Sequence, residues 1–176
     1  FVAWEAGIAE DAADSKAAQL FAAEHWPELR VVVAISRSGA KAKDVGSTVG
    51  MELTLATSGL LVARAELAKQ HFCEMVKAIE TKDFEQFAIL AMKDSNQFHA
   101  LCQDTYPPLF YMSDVSRAVV KLVHCLNDHL GRVAFGYTFD AGPHAVIFCV
   151  NADFSVLFDA FKSHFPGFES KFESIG

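Results

Sequence analysis

Apolar and polar positions along the chain follow two rhythms, one of about two residues and one of about 3.6, and the places where one yields to the other outline the elements. Residues 1 to 6, F-V-A-W-E-A, alternate like a strand, and an acidic, alanine-rich stretch, I-A-E-D-A-A-D-S-K-A-A, then breaks the pattern ahead of Trp26-Pro27. That stretch predicts an exposed connection. The next segment, L-R-V-V-V-A-I from Leu29 to Ile35, is a continuous run rich in β-branched residues and predicts a strand buried on both faces. Ser36 to Gly46 is polar and contains glycine, which reads as a loop.

From Ser47 the spacing becomes helical. Leu61, Ala65, Ala68, Phe72, Met75, Val76 and Ile79 mark one helix, and Asp83 is placed to cap the next, which carries Phe84, Phe87, Ala88, Ala91, Phe98 and Cys102 along one side. Pro107-Pro108 ends that run. A third long helix has Ser113 as its N-cap, Val115, Val119, Leu122, Val123 and Leu126 on its apolar stripe, and Gly131 just past its end. Two strands, about 133 to 139 and 144 to 150, are joined by Asp140-Ala141-Gly142-Pro143 as a hairpin, and a helix over about 153 to 164 follows. The order predicts an α+β fold in which helices cover one face of a mostly antiparallel sheet.

Composition narrows the function classes. The chain of 176 residues is 52% hydrophobic and 21% charged, with 16 phenylalanines, which suits one folded domain with a short appendage and excludes disorder. A net charge of -7, with Arg37, Lys41 and Lys43 as the nearest thing to a basic cluster, argues against nucleic-acid binding. No apolar stretch approaches the about 18 to 20 residues that span a bilayer, so no membrane association is expected and a cytoplasmic location is the default. Cys73, Cys102, Cys125 and Cys149 stand singly in apolar contexts and read as buried, reduced thiols. His124 and His129 fall on different helix faces, so no metal site is expected from the chain's own His and Cys. The chain opens on Phe1 in mid-strand pattern, which predicts a piece of a longer polypeptide.

Three places could carry chemistry. In K-A-K-D-V-G-S-T-V-G-M, Ser47 either caps the helix or belongs to an anion site at its start; Gly50 stands where a capping box would have Glu. Asp140 either closes its turn through an Asx hydrogen bond or presents a carboxylate at a rigid hairpin tip. In M-K-D-S-N-Q-F-H-A, Lys93, Asp94, Asn96 and Gln97 read mainly as a solvated face, and His99 as a core histidine or a base.

Together, G-S-T-V-G-M, M-K-D-S-N-Q-F-H-A, D-T-Y-P-P and Y-T-F-D-A-G-P-H-A-V, in this order, resemble the C-terminal part of mevalonate diphosphate decarboxylase, within the GHMP kinase superfamily. The resemblance implies a two-layer GHMP-type C-terminal fold, with residues 1–26 as the trailing strand and connection of an ATP-binding N-terminal domain and 27–176 as the substrate-binding domain. It implies ATP-dependent decarboxylation of mevalonate 5-diphosphate to isopentenyl diphosphate, with ATP and Mg2+ bound mainly by the N-terminal half, and a homodimer. Asp140 matches the catalytic aspartate facing the substrate's 3-hydroxyl; Ser47, Thr48 and Met51 match residues beside the bound substrate. The family's serine-rich phosphate loop, lysine and arginine would precede Phe1, so this chain would hold half a site and be inactive alone. His144 departs from the family's D-A-G-P-N and bears on pH dependence. The alternatives are a related GHMP small-molecule kinase fragment and a non-catalytic α+β binding or dimerisation module.

Overall fold

A computed structural model of the chain describes residues 1–5, 7–9, 13–35 and 45–165. Two antiparallel sheets and five helices make up the described part. The first sheet is a hairpin, β1 (Val2–Glu5) against β2 (Lys16–Gln19), with Trp4 facing Ala17. The alanine-rich connection therefore contains a strand that its composition hid. Backbone pairing and a side-chain clasp stabilise it: the Asp14 carboxylate accepts the N–H groups of Ile8 (2.8 Å) and Ala9 (3.1 Å). Those two bonds hold the Asp14 pKa below its ordinary value.

The second sheet runs in the order β3 (Leu29–Ala34), β5 (Ala145–Val150), β4 (Gly136–Phe139), all antiparallel. Position along β3 decides the fate of its apolar run. Val32 and Ala34 turn toward the main core, whereas Val31 and Val33 are 55% and 56% exposed. The expectation of burial on both faces fails beyond Leu29, which packs with Trp26 and Phe87: β3 lies at the sheet edge opposite β4, the strand along which α3 runs.

The main core lies between that inner face and the helices α4 (Asp114–Leu130) and α5 (Phe154–His164), where Val119, Leu122, Val123, Leu157 and Phe161 meet Tyr137, Phe139, Ile147 and Cys149. The helix ends follow local chemistry. Ser113 and Ser116 form a reciprocal capping box at the start of α4, and Gly131 ends it at φ 64°. Asp83 caps α3 (Phe84–Asp104) by accepting the Gln86 N–H at 3.0 Å.

Along the open edge of β4, α3 contributes Met92 to the same core and reaches over Gly136, where an added Cβ would sit 2.9 Å from the Ala88 Cβ. A side chain at Gly136 would push the helix off the strand. Phe87 also meets Phe148 edge-on, at 5.1 Å between ring centroids. Behind α3 lies α2 (Leu61–Thr81), tied to it by an Arg64–Asp94 ion pair of 2.6 Å. Of the cysteines, Cys102 and Cys149 are buried, but Cys73 and Cys125 are exposed on the outer faces of α2 and α4, against expectation. An apolar sequence context does not tell which side of a helix a residue occupies.

Candidate active site

The hairpin between β4 and β5 carries Asp140 as the first residue beyond the strand, and Asp140 is exposed. The Gly142 N–H donates to the Asp140 backbone carbonyl at 2.8 Å, in place of the carboxylate bond of an Asx-turn. The turn is thus closed through the main chain. At its far end, the Ser116 hydroxyl of the α4 capping box donates to the Pro143 carbonyl at 2.8 Å. Just before Asp140, both main-chain polar groups of Phe139 are engaged by α3: its N–H donates to the Ser95 hydroxyl at 3.0 Å, and its carbonyl lies 3.2 Å from His99 Nε2.

A carbonyl can only accept, so that contact requires the proton on Nε2 of His99. Burial pushes the His99 pKa below its ordinary value, and the Phe139 carbonyl and the Asp140 charge partly oppose the shift. His99 is therefore a neutral, buried histidine, which favours the core reading over a solvent-facing base.

Ser47, Thr48 and Met51 lie on the first turns of α1 (Ser47–Thr57) and are all exposed. Ser47 is not the cap. Gly46 occupies that position, with its carbonyl accepting the Gly50 N–H at 2.9 Å, and no side chain caps the helix. The extended backbone at Gly46 starts the helix one residue before the hydroxyl, so the hydroxyls of Ser47 and Thr48 already lie within the first turn.

One small apolar cluster connects this helix to the Asp140 turn. Val45 and Leu53 pack from the α1 side, and Ala141 from the turn, against Cys102, Leu109 and Tyr111. Gly50 permits the approach: a Cβ there would fall 2.2 Å from the Tyr111 hydroxyl oxygen. Deeper along α1, buried Thr54 shares a 2.8 Å hydrogen bond with Thr105 at the end of α3. The start of α1 and the tip of the hairpin are therefore seated on common ground, with their polar groups outward.

Of the other polar residues on α3, Lys93 and Asn96 are exposed as expected, while Asp94 is held by Arg64 and lies 3.5 Å from His71 Nδ1. Ser95 is only 3% exposed, and its role was not evident from spacing. His144 is exposed at the entry to β5. The loop lysines Lys41 and Lys43, with Arg37, lie outside the described residues. Among the described residues no group of three His, Cys, Asp or Glu side chains could hold a metal ion, and no helix is long and apolar enough to cross a membrane.

Comparison with known proteins supplies the family. Residues 31–175 match the model of the mevalonate 5-diphosphate decarboxylase C-terminal domain. The chain is 45% identical over 180 residues to diphosphomevalonate decarboxylase mvd1 of Aspergillus fumigatus, covering 99% of this chain and 44% of that protein. The crystal structure of a mevalonate 5-diphosphate decarboxylase superposes with a TM-score of 0.88 at 43% identity, over 98% of this chain and 45% of that one. A structure described as MDDEF in complex with MVAPP, AMPPCP and magnesium superposes with a TM-score of 0.79 at 25% identity, over 87% of this chain and 46% of that one. The chain thus spans about half the length of the relatives it matches. With an antiparallel α+β fold, a family model spanning most of its length and close relatives of one kind, this chain belongs to the mevalonate 5-diphosphate decarboxylase C-terminal domain family.

Proposed function

We propose that this chain is the substrate-binding half of an ATP-dependent diphosphomevalonate decarboxylase. The observation that carries the proposal is an exposed carboxylate, Asp140, on a main-chain-closed turn that shares one apolar cluster with the uncapped start of α1. In the reaction, the tertiary 3-hydroxyl of mevalonate 5-diphosphate takes the terminal phosphoryl group of Mg-ATP. Phosphate then leaves, the carboxylate is lost as carbon dioxide, and isopentenyl diphosphate, ADP and phosphate result. Asp140 would orient the hydroxyl or take its proton, and its negative charge would favour the electron-deficient carbon formed as phosphate departs. Ser47 and Thr48 would offer hydroxyls, and the helix end its N–H groups, to the anionic substrate, with Met51 as an apolar wall. ATP and Mg2+ would be bound mainly by the N-terminal half of the complete polypeptide.

In this reading residues 1–26 belong to the edge of the ATP-binding half and 27–176 form the substrate-binding domain. The complete protein acts as a cytoplasmic homodimer, and the chain alone is inactive. MVAPP, AMPPCP and magnesium in the related complex support the choice of mevalonate diphosphate and Mg-ATP as ligands. The test is an incubation of the complete polypeptide with Mg-ATP and carboxyl-labelled mevalonate 5-diphosphate. Release of one carbon dioxide per ADP is the expected result. ADP without carbon dioxide would instead identify a small-molecule kinase, and no turnover a non-catalytic module.

A further inference from the structure

Asp140 sits at the end of an edge strand, where a hairpin tip is ordinarily free to flex. Here β4 pairs with β5 on one side only, and on its open side α3 supplies two side chains one helical turn apart. Ser95 accepts the Phe139 N–H at 3.0 Å and His99 Nε2–H donates to the Phe139 carbonyl at 3.2 Å, so the residue before Asp140 is gripped by both of its main-chain polar groups. Ser95 and His99 are 3% and 7% exposed, so water does not compete for these bonds. The His99 ring is further fixed edge-on between Phe98 (5.0 Å) and Phe139 (6.3 Å). Ser116 holds the far end of the turn through Pro143.

We infer that Ser95 and His99 are positioning residues for the Asp140 carboxylate: a donor and an acceptor on α3 that set the direction in which β4 delivers it. This rests on the role given to Asp140 above. Neither residue need touch the substrate. A fold-stabilising role alone would require only that the Phe139 groups be satisfied, whereas positioning requires that their loss reach turnover before it reaches substrate affinity. The His99 ring has the shape and burial of a core aromatic, so the donor can be separated from the packing. His99→Phe keeps an aromatic ring and removes the N–H, and His99→Gln keeps a side-chain N–H donor and removes the ring.

The experiment uses the complete enzyme and measures kcat and KM for mevalonate 5-diphosphate in His99→Phe, His99→Gln, Ser95→Ala and Asp140→Asn. The expected result is a fall in kcat of about 10- to 100-fold in His99→Phe with KM within about threefold of the parent, and recovery of most of kcat in His99→Gln. Parent-like kcat in His99→Phe would overturn the inference, as would a His99→Gln enzyme no better than His99→Phe. If His99→Phe does not fold, Ser95→Ala decides: a loss confined to kcat supports positioning, and an unchanged kcat refutes it. Asp140→Asn separates the two levels. An inactive Asp140→Asn beside a normal His99→Phe removes only the positioning claim, whereas a fully active Asp140→Asn removes the role of Asp140 itself.

Discussion

The imidazole of His99 is buried between two phenylalanine rings, and that burial gives it a second, measurable signature apart from turnover. Burial lowers its pKa from 6.5, with the Phe139 carbonyl and Asp140 pulling weakly the other way. The unfolded chain titrates this group at its ordinary value, so between the two pKa values the unfolded state binds the extra proton. The contribution of neutral His99 to stability is therefore complete above 6.5 and is lost as pH falls through the lower, folded pKa. Denaturation curves between about pH 7.5 and pH 5 should show the parent losing stability faster than His99→Gln, which has no proton to gain. Parallel pH profiles would mean that His99 is not held neutral. At this scale the sequence was only partly legible. Spacing favoured a core histidine over a base at His99, but it did not single out Ser95, because its partner is 44 residues away in the chain.

Elements were legible where their signals are local. Asp83, Ser113 and Gly131 act within one helical turn of themselves, and each performs the role that its residue type and position predict. The misreadings are non-local. β2 depends on a partner strand, and the exposed face of β3 depends on being at a sheet edge; the exception is Ser47, which loses the cap to its neighbour Gly46 because the backbone enters α1 one residue early. The seating of α1 can be tested through Gly50. Helix propensity alone favours alanine over glycine by about 1 kcal/mol, so Gly50→Ala would stabilise an unconstrained helix. Here the new Cβ would meet the Tyr111 hydroxyl oxygen at 2.2 Å, and the substitution should instead cost roughly 1–3 kcal/mol net. In a Tyr111→Phe background the nearest remaining atom is Leu109 Cδ1, at 3.2 Å, and most of the penalty should vanish. Chemical denaturation of the four proteins of this cycle gives the answer. A stabilising Gly50→Ala, or an equal penalty in both backgrounds, would show that α1 is not seated on Tyr111.

At the scale of the whole molecule, the sheet and helices form a platform that brings two distant segments, 45–53 and 139–143, to one small cluster and leaves their polar groups facing out. The α+β class followed from periodicity, but the meeting of those segments did not, since hydrophobic pattern carries no information on which loops become neighbours. The linked motifs supplied that through family resemblance, and the family match and structural neighbours agree with it. A chain about half the length of its relatives would then contribute the carboxylate and one anion-facing helix end to a site completed by the remainder of the polypeptide. We propose that the Asp140 carboxylate does the chemistry that this platform presents. It is tested most directly by carbon dioxide release from carboxyl-labelled mevalonate 5-diphosphate in the complete enzyme carrying Asp140→Asn, with the denaturation midpoint measured alongside. Catalysis by Asp140 requires turnover to fall about 10²- to 10⁴-fold in this variant with an unchanged midpoint; turnover equal to the parent in a folded Asp140→Asn protein would exclude it.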